Sequence, residues 1–89
     1  MIIKIEKTFA KDVEKVKDTK ILKKLDAKID EISAAERLTD ITQVVQIVQS
    51  PLPGAYRIRL GTYRIGFVFK NEIVILLRFL HKKEFIGKF

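Results

Sequence analysis

The sequence contains no cysteine and no tryptophan, and it has only one histidine and two prolines. Without cysteine the chain forms neither disulfides nor thiolate metal sites, which fits a reducing cytoplasm. A single histidine leaves no His pair at metal-ligand spacing. No apolar run approaches the roughly 20 residues of a membrane span, and MIIKIEKTF has no apolar core of signal-peptide length. We therefore expect a cytoplasmic protein with no metal, no cofactor and no membrane association.

Several common catalytic motifs are also missing. There is no GxxxxGK or GxGxxG phosphate loop, and the acidic residues form no obvious carboxylate pair. The only serines, Ser33 and Ser50, stand outside any nucleophile motif. An enzyme built from this sequence has to rely on basic side chains. Phosphodiester cleavage suits such a site, because dense positive charge stabilises the negative charge that develops on phosphate.

The positive charge is concentrated in the second half of the chain. Its 89 residues predict a single domain spanning residues 1–89, with a net charge of +7. Residues 1–50 hold ten basic and nine acidic side chains, whereas residues 51–89 hold eight and two. A basic half of this kind predicts an anionic partner, either nucleic acid or an acidic protein.

The first part of the chain reads as one strand followed by two helices. Residues 1–6 alternate as a short strand. Thr8 is expected to cap a helix over 9–17, and Asp18 or Thr19 a second helix. The apolar residues of that second helix recur at three- and four-residue spacing: Ile21, Leu22, Leu25, Ile29 and Ile32. The two helices are close enough in sequence to form an antiparallel hairpin.

The remainder of the chain predicts a sheet. Residues 35–54 read as a short helical turn and an extended piece, ended by the prolines of SPLPG. Three strands follow, YRIRL, YRIGFVF and IVILLRFL, the last apolar enough to be central. Turns are expected at 61–62 and 71–72. The order predicts an α+β fold, with helices on one face of a mostly antiparallel three- to four-stranded sheet.

The stretch YRIRLGTYRIGFVF fixes a specific hairpin register. Gly61 at the first central position of a two-residue turn suits type II′. Counting outward pairs Leu60 with Tyr63, Arg59 with Arg64, Ile58 with Ile65, Arg57 with Gly66 and Tyr56 with Phe67. Opposed residues share a face, so one face is wholly apolar and the other carries Arg57, Arg59 and Arg64.

This arginine cluster predicts an anion-binding site. Each arginine alone reads as ordinary solvated surface. Together they place like charges directly across a strand pair, which is destabilising unless an anion is present. The planar guanidinium group matches both phosphate and carboxylate geometry. Arg78 is a further candidate for the same face, although the turn before its strand does not fix its register.

The segment FLHKKEF supplies the remaining candidates. Histidine in general donates or accepts protons near neutral pH, so His81 is a candidate for proton transfer. Its neighbours Lys82 and Lys83 are candidates for binding phosphate. An ordinary solvated surface is the alternative interpretation of all three.

The chain resembles the RelE/ParE superfamily of toxins from type II toxin–antitoxin systems. The resemblance is carried by AYRIRLGTYRIGF (55–67) and LLRFLHKKEF (76–85), and it extends over the order of elements. It implies a RelE-like fold and, for the RelE branch, cleavage of mRNA in the ribosomal A site by attack of the 2′-hydroxyl on the adjacent phosphate. The residues matching the family's basic site are Arg57, Arg59, Arg64, His81, Lys82 and Lys83.

The resemblance also implies partners and leaves alternatives. An acidic antitoxin is expected to bind the chain, with operator DNA bound only through that antitoxin. Ile86 stands where many RelE-like toxins carry a tyrosine used in proton transfer, and QSPLPG departs from the usual approach to the hairpin. A ParE-like inhibitor of DNA gyrase and a catalytically inactive, antitoxin-binding member are therefore the alternatives to an mRNA endoribonuclease.

Overall fold

A computed structural model describes all residues 1–89 and confirms the α+β class. The elements in chain order are β1 (Ile2–Ile5), α1 (Lys7–Glu14), α2 (Thr19–Ala34), a 3-10 turn (Leu38–Asp40), β2 (Val44–Gln46), β3 (Ala55–Leu60), β4 (Tyr63–Lys70), β5 (Ile73–His81) and α3 (Lys82–Lys88). None of the helices has the length and apolar character that crossing a membrane requires.

The sheet has five strands in the order β1-β5-β4-β3-β2, where three or four were expected. β5 lies between β1 and β4, which confirms the central position that its apolar sequence predicts. The β1–β5 pair is parallel and the other three pairs are antiparallel. The strand expected at residues 1–6 is confirmed as β1, and the extended piece expected within residues 35–54 contains the three-residue strand β2, which completes the five.

The predicted hairpin register is confirmed. Arg59 lies opposite Arg64, and Arg57 lies opposite Gly66. Gly61 has a φ of +61° and no other residue of that turn has a positive φ, as type II′ requires. The next turn, at Asn71 and Glu72, has positive φ at both positions. Each tight turn fixes the register of the two strands that it joins, because its length is fixed. The side chains of β3 and β4 therefore alternate between the two faces of the sheet as predicted.

Helices α1 and α2 pack on the apolar face that β3 and β4 present. Asp18 caps α2 as expected, accepting hydrogen bonds from the backbone N–H groups of Lys20 and Ile21. The predicted cap at Thr8 is wrong. The N-cap of α1 is Glu6, because β1 runs almost directly into the helix, and the Thr8 hydroxyl instead donates to the carbonyl of Leu77.

The main core lies between these two helices and the sheet. Its largest fully buried side chains are those of Phe9, Phe67 and Phe79, and the rings of Phe9 and Phe79 lie 5.9 Å apart. Burial of each such side chain contributes about 1.5–3 kcal/mol. This core packs one face of the sheet against α1 and α2, so the face that bears the arginines points away from these two helices.

Helix α3 covers part of that second face, which corrects the expectation that all helices lie on one side. Phe85 is buried there, outside the main core, together with Leu80 and Ala55. The rings of Phe85 and Phe89 lie over Gly66, where a Cβ atom would come within 2.9 Å and 2.8 Å of them. Gly66 is therefore the site at which α3 contacts the sheet, and a side chain at this position would exclude the two rings.

The strand at the other edge belongs to an uncharged stretch. No charged residue occurs between positions 41 and 54, although a third of the chain is charged. β2 lies within this stretch and forms the outer edge beside β3. The stretch is fixed at its start by the buried Lys28, which donates to Glu31 and Thr42. Burial raises the pKa of Glu31, but hydrogen bonds from Lys28 and Thr42 outweigh it and lower the pKa overall.

Candidate functional site

Three arginines and two lysines form a basic cluster on the sheet face opposite the main core. Arg57 and Arg59 project from β3 and Arg64 from β4, as the alternation of the hairpin requires. Lys82 and Lys83, in the first turn of α3, join them beside a cavity that also contains Arg57 and Arg64. We call these five residues the basic cluster.

No member of the basic cluster has an acidic partner. The ion pairs of the molecule join Lys4 to Glu6, Lys28 to Glu31, Arg78 to Asp12 and Lys88 to Glu84. No aspartate or glutamate lines any of the three cavities that border Arg57. Five positively charged side chains that lack acidic partners in the chain favour the binding of an external anion.

Arg64 is held in place by the hairpin turn. Its Nη1 donates to the carbonyl oxygens of Gly61 at 2.9 Å and Tyr63 at 2.8 Å. Burial lowers the pKa of Arg64, and the positive charges of Arg59 and Arg57 lower it further. Repulsion from the two neighbouring arginines therefore disfavours the charged form of Arg64, and a bound anion would reduce that repulsion.

Three adjoining cavities surround the basic cluster, and Arg57 lines all of them. One of about 280 Å³ contains Arg64, Lys82 and Lys83. A second, of about 240 Å³, contains Arg59 and Arg64. Guanidinium and ammonium groups so arranged hold phosphate or carboxylate and stabilise charge that builds up on a reacting phosphate. The chain contains no group of three or more side chains suited to hold a metal ion.

His81 lies apart from the basic cluster. It pairs with Tyr63 across the β4–β5 ladder, on the face of the main core, and the two rings lie 5.8 Å apart. Its Nδ1 accepts a hydrogen bond of 3.2 Å from the backbone N–H of Lys83, so the histidine caps α3. It lines a different cavity, of about 130 Å³, that contains none of the three clustered arginines.

Arg78 is likewise occupied elsewhere. Its Nε and Nη2 donate to the carboxylate of Asp12 at 2.7 Å and 3.0 Å, and the backbone N–H of Phe79 donates to the same carboxylate at 3.0 Å. Burial raises the pKa of Asp12, but these hydrogen bonds outweigh burial and lower it overall. The same hydrogen bond raises the pKa of Arg78. Arg78 therefore joins α1 to β5 rather than lining the cavities of the basic cluster.

Asp12 is the polar residue that sequence reasoning missed. It is buried on α1 together with Phe9, on the face directed towards the core. The sequence signal for Asp12 is its position on α1. It stands three residues after Phe9, on the apolar side of an amphipathic helix, where an acidic residue is unusual. Ile86, where many RelE-like toxins carry tyrosine, is exposed beside Arg57 and the two lysines.

A family model described as the ParE toxin of type II toxin–antitoxin systems matches residues 3–85. The chain belongs to the RelE/ParE superfamily of toxins. It is 32% identical over 89 residues to Toxin RelE3 of Methanocaldococcus jannaschii, covering 100% of this chain and 99% of that relative.

Solved structures of RelE-family toxins have the same fold. The RelB–RelE antitoxin–toxin complex from Methanococcus jannaschii matches with a TM-score of 0.80 and 30% identity, over 97% of this chain and 98% of that one. The toxin–antitoxin complex RelBE2 from Mycobacterium tuberculosis matches with a TM-score of 0.71 and 23% identity, over 90% and 95% of the two chains. The RelE-like fold expected from the sequence is therefore confirmed.

Proposed function

We propose that this toxin is a ribosome-dependent endoribonuclease that cleaves mRNA in the A site and thereby inhibits translation in the cytoplasm. One observation carries the proposal: five cations without acidic partners surround cavities that contain no acidic residue. The similarity to Toxin RelE3 supports the assignment to the RelE branch. An mRNA phosphate is the anion that we assign to the cluster.

The proposed reaction is an internal transfer at phosphorus. The 2′-oxygen of the ribose forms a bond to the adjacent phosphorus while the bond to the 5′-oxygen breaks, leaving a cyclic phosphate and a free 5′-hydroxyl. Arg57, Arg59 and Arg64 bind the phosphate and stabilise the extra negative charge of the transition state. The 2′-hydroxyl gives its proton to solvent water, and the leaving 5′-oxygen takes one up from a cationic side chain.

Proton donation is assigned to the lysines of α3. Lys82 and Lys83 line the same cavity as Arg57 and Arg64, whereas His81 lies on the other face of the sheet. No hydroxyl or carboxylate side chain lines that cavity. His81 contributes indirectly, because its cap on α3 fixes the turn that carries the two lysines.

An acidic antitoxin is the proposed protein partner, and operator DNA is bound only through it. The similarity in fold to the toxin of the RelB–RelE complex supports this assignment. Antitoxin carboxylates would compete with mRNA phosphates for the same guanidinium groups, because both anions accept the same pair of parallel hydrogen bonds.

The decisive experiment adds the purified chain to a translating ribosome extract and maps mRNA 5′ ends. New ends within A-site codons are expected from the unmodified chain and not from Arg59→Ala/Arg64→Ala. The matched control, Lys11→Ala/Lys23→Ala, removes two exposed positive charges from α1 and α2 and should cleave normally. Unchanged mRNA with a folded protein would contradict the nuclease assignment.

Inhibition of DNA gyrase is the second candidate. Two observations favour it: the matching family model is that of ParE, and Ile86 provides no hydroxyl beside the basic cluster. A supercoiling assay separates the candidates, because a gyrase inhibitor blocks supercoiling and leaves mRNA intact. A chain that does neither but binds an antitoxin would be the catalytically inactive member of the family.

A further inference from the structure

We infer that the groove between residues 45–49 and α3 is a nucleobase subsite, in which one base of the single-stranded mRNA lies beside the phosphate held by the basic cluster. This inference rests on the proposed function, since it assigns a position to the substrate of that reaction. The groove has a volume of about 340 Å³ and is lined by nine residues, of which six are apolar and one, Arg57, is charged.

The walls of the groove are apolar side chains that the chain leaves uncovered. Val48 is 86% exposed on one side and Ile86 is 87% exposed on the other. Phe89 also lines the groove, and its ring is tilted against that of Phe85 at a centroid distance of 5.1 Å. A flat ring inserted here would contact apolar atoms on both faces, which is how proteins hold an unstacked base.

The position of Arg57 relates this groove to the phosphate. Arg57 lines the groove and both cavities of the basic cluster, so the three spaces adjoin one another. In a single strand each base is joined through one ribose to its phosphate. A phosphate held by Arg57 and Arg64 would therefore place a neighbouring base at the mouth of the groove. No acidic residue lines any of the three spaces to repel the strand.

One amide side chain gives the groove a means of telling bases apart. Gln49 lines the groove and is exposed, whereas Gln46 pairs with Tyr56 and belongs to the other face of the sheet. A glutamine amide has both a donor and an acceptor, the combination that reads base edges in single-stranded RNA. This amide would favour some bases over others, and the groove would set part of the codon preference.

Helix α3 gives the groove a firm wall. The rings of Phe85 and Phe89 lie over Gly66, and Phe85 is buried, so the helix is anchored to the sheet beside the groove. A wall fixed in advance lowers the entropy that binding a base would otherwise cost.

The test compares cleavage at each codon for the unmodified chain and three variants in a translating extract. Val48→Ser/Ile86→Ser removes the two exposed walls, and these positions are too exposed for the change to unfold the chain. Ile2→Ser/Ile5→Ser makes the same chemical change on β1, at the opposite edge of the sheet, and is the matched control. Gln49→Ala keeps the walls and removes the amide.

The expected results separate this inference from the proposed function. The wall variant should cleave its preferred codons at least about fivefold more slowly, given what one base stack contributes. The amide variant should change the ranking of codons, and the control should match the unmodified chain. If cleavage requires Arg59 and Arg64 but neither groove variant alters rate or ranking, the subsite is wrong and the nuclease stands. If the groove variants lose only antitoxin binding, the groove is a protein-docking surface. If the unmodified chain does not cleave, both proposals fall.

Discussion

At the scale of single residues, the molecule places like charges together where nothing in the chain neutralises them. Arg59 and Arg64 are directly opposed on neighbouring strands, and Arg57 is next to them. The pKa of Arg64 is lowered by burial and by both neighbours. Opposed positive charges that have no acidic partner in the chain are typical of a functional site.

Removing one of these charges should stabilise the fold. Arg59→Gln is expected to raise the free energy of unfolding by about 0.5 kcal/mol at low salt, because opposed like charges are unfavourable and solvent screens this exposed pair. The gain should shrink as salt is added. Urea denaturation at two salt concentrations measures both effects, with Lys23→Gln on α2 as the control. A loss of stability at low salt would contradict the prediction. The variant should also lose cleavage activity.

The buried carboxylate of Asp12 makes the opposite kind of contribution. Its pKa is lowered in the folded chain, so its stabilisation is complete above the unfolded value of about 3.9 and is lost as pH falls through the lower folded value. Asp12→Asn should cost about 3 kcal/mol at pH 7, the low end for breaking a buried pair, because Arg78 keeps 26% of its side chain exposed.

The pH dependence distinguishes this effect from simple loss of packing. The unfolding free energy of Asp12→Asn should vary less than that of the unmodified chain as pH falls below 4, roughly the range in which carboxylates titrate. Asp26→Asn, which changes an exposed carboxylate on α2, should retain the full dependence. Equal slopes for all three chains would show that Asp12 contributes no titrating stabilisation.

At the scale of elements, the docking of α3 depends on one glycine. Gly66→Ala would place a Cβ atom 2.8 Å from the Phe89 ring and 2.9 Å from that of Phe85, closer than such atoms approach one another. The expected cost is about 1–3 kcal/mol, the range for overpacking. The substitution should accelerate backbone hydrogen exchange more in α3 than in β5, because the helix rather than the sheet would move.

Gly87 supplies the matched control within the same helix. A Cβ atom added there meets nothing within 4 Å, and the position is exposed. Gly87→Ala should therefore stabilise α3 by about 0.5–1 kcal/mol through helix propensity alone. If both substitutions moved stability in the same direction, contact with Gly66 would not be what holds α3 in place.

The same scale shows how far sequence reasoning reached. The register of β3 and β4, and with it the clustering of the three arginines, followed from a two-residue turn and strict alternation, which are local. The positions of α3, β1 and Arg78 depend on partners distant in the chain. β1 pairs with β5 across some seventy residues, and Arg78 is held by Asp12 from another element. No local pattern shows such partners, so the resemblance to the family placed His81 in the basic site, and Arg78 was a candidate for the arginine face only because its register was not fixed.

At the scale of the whole molecule, the basic cluster should make binding of RNA strongly dependent on salt. Each phosphate neutralised on a single strand contributes about −0.7 to the slope of log affinity against log salt, so five contacts give about −3.5. Arg59→Ala/Arg64→Ala should reduce the slope to about −2. Anisotropy of a labelled single-stranded RNA measures it. An unchanged slope would show that other cations hold the strand.

The uncharged edge at β2 limits how the protein can be handled. Proteins usually protect an exposed strand edge with charge, and this one has none between positions 41 and 54. In dilute buffer the net charge of +7 keeps copies apart. At an ionic strength of about 0.1 M this repulsion is screened beyond about 10 Å, so the β2 edges of two copies can pair. High salt, used to remove nucleic acid during purification, should therefore promote precipitation of the protein through pairing of the β2 edges.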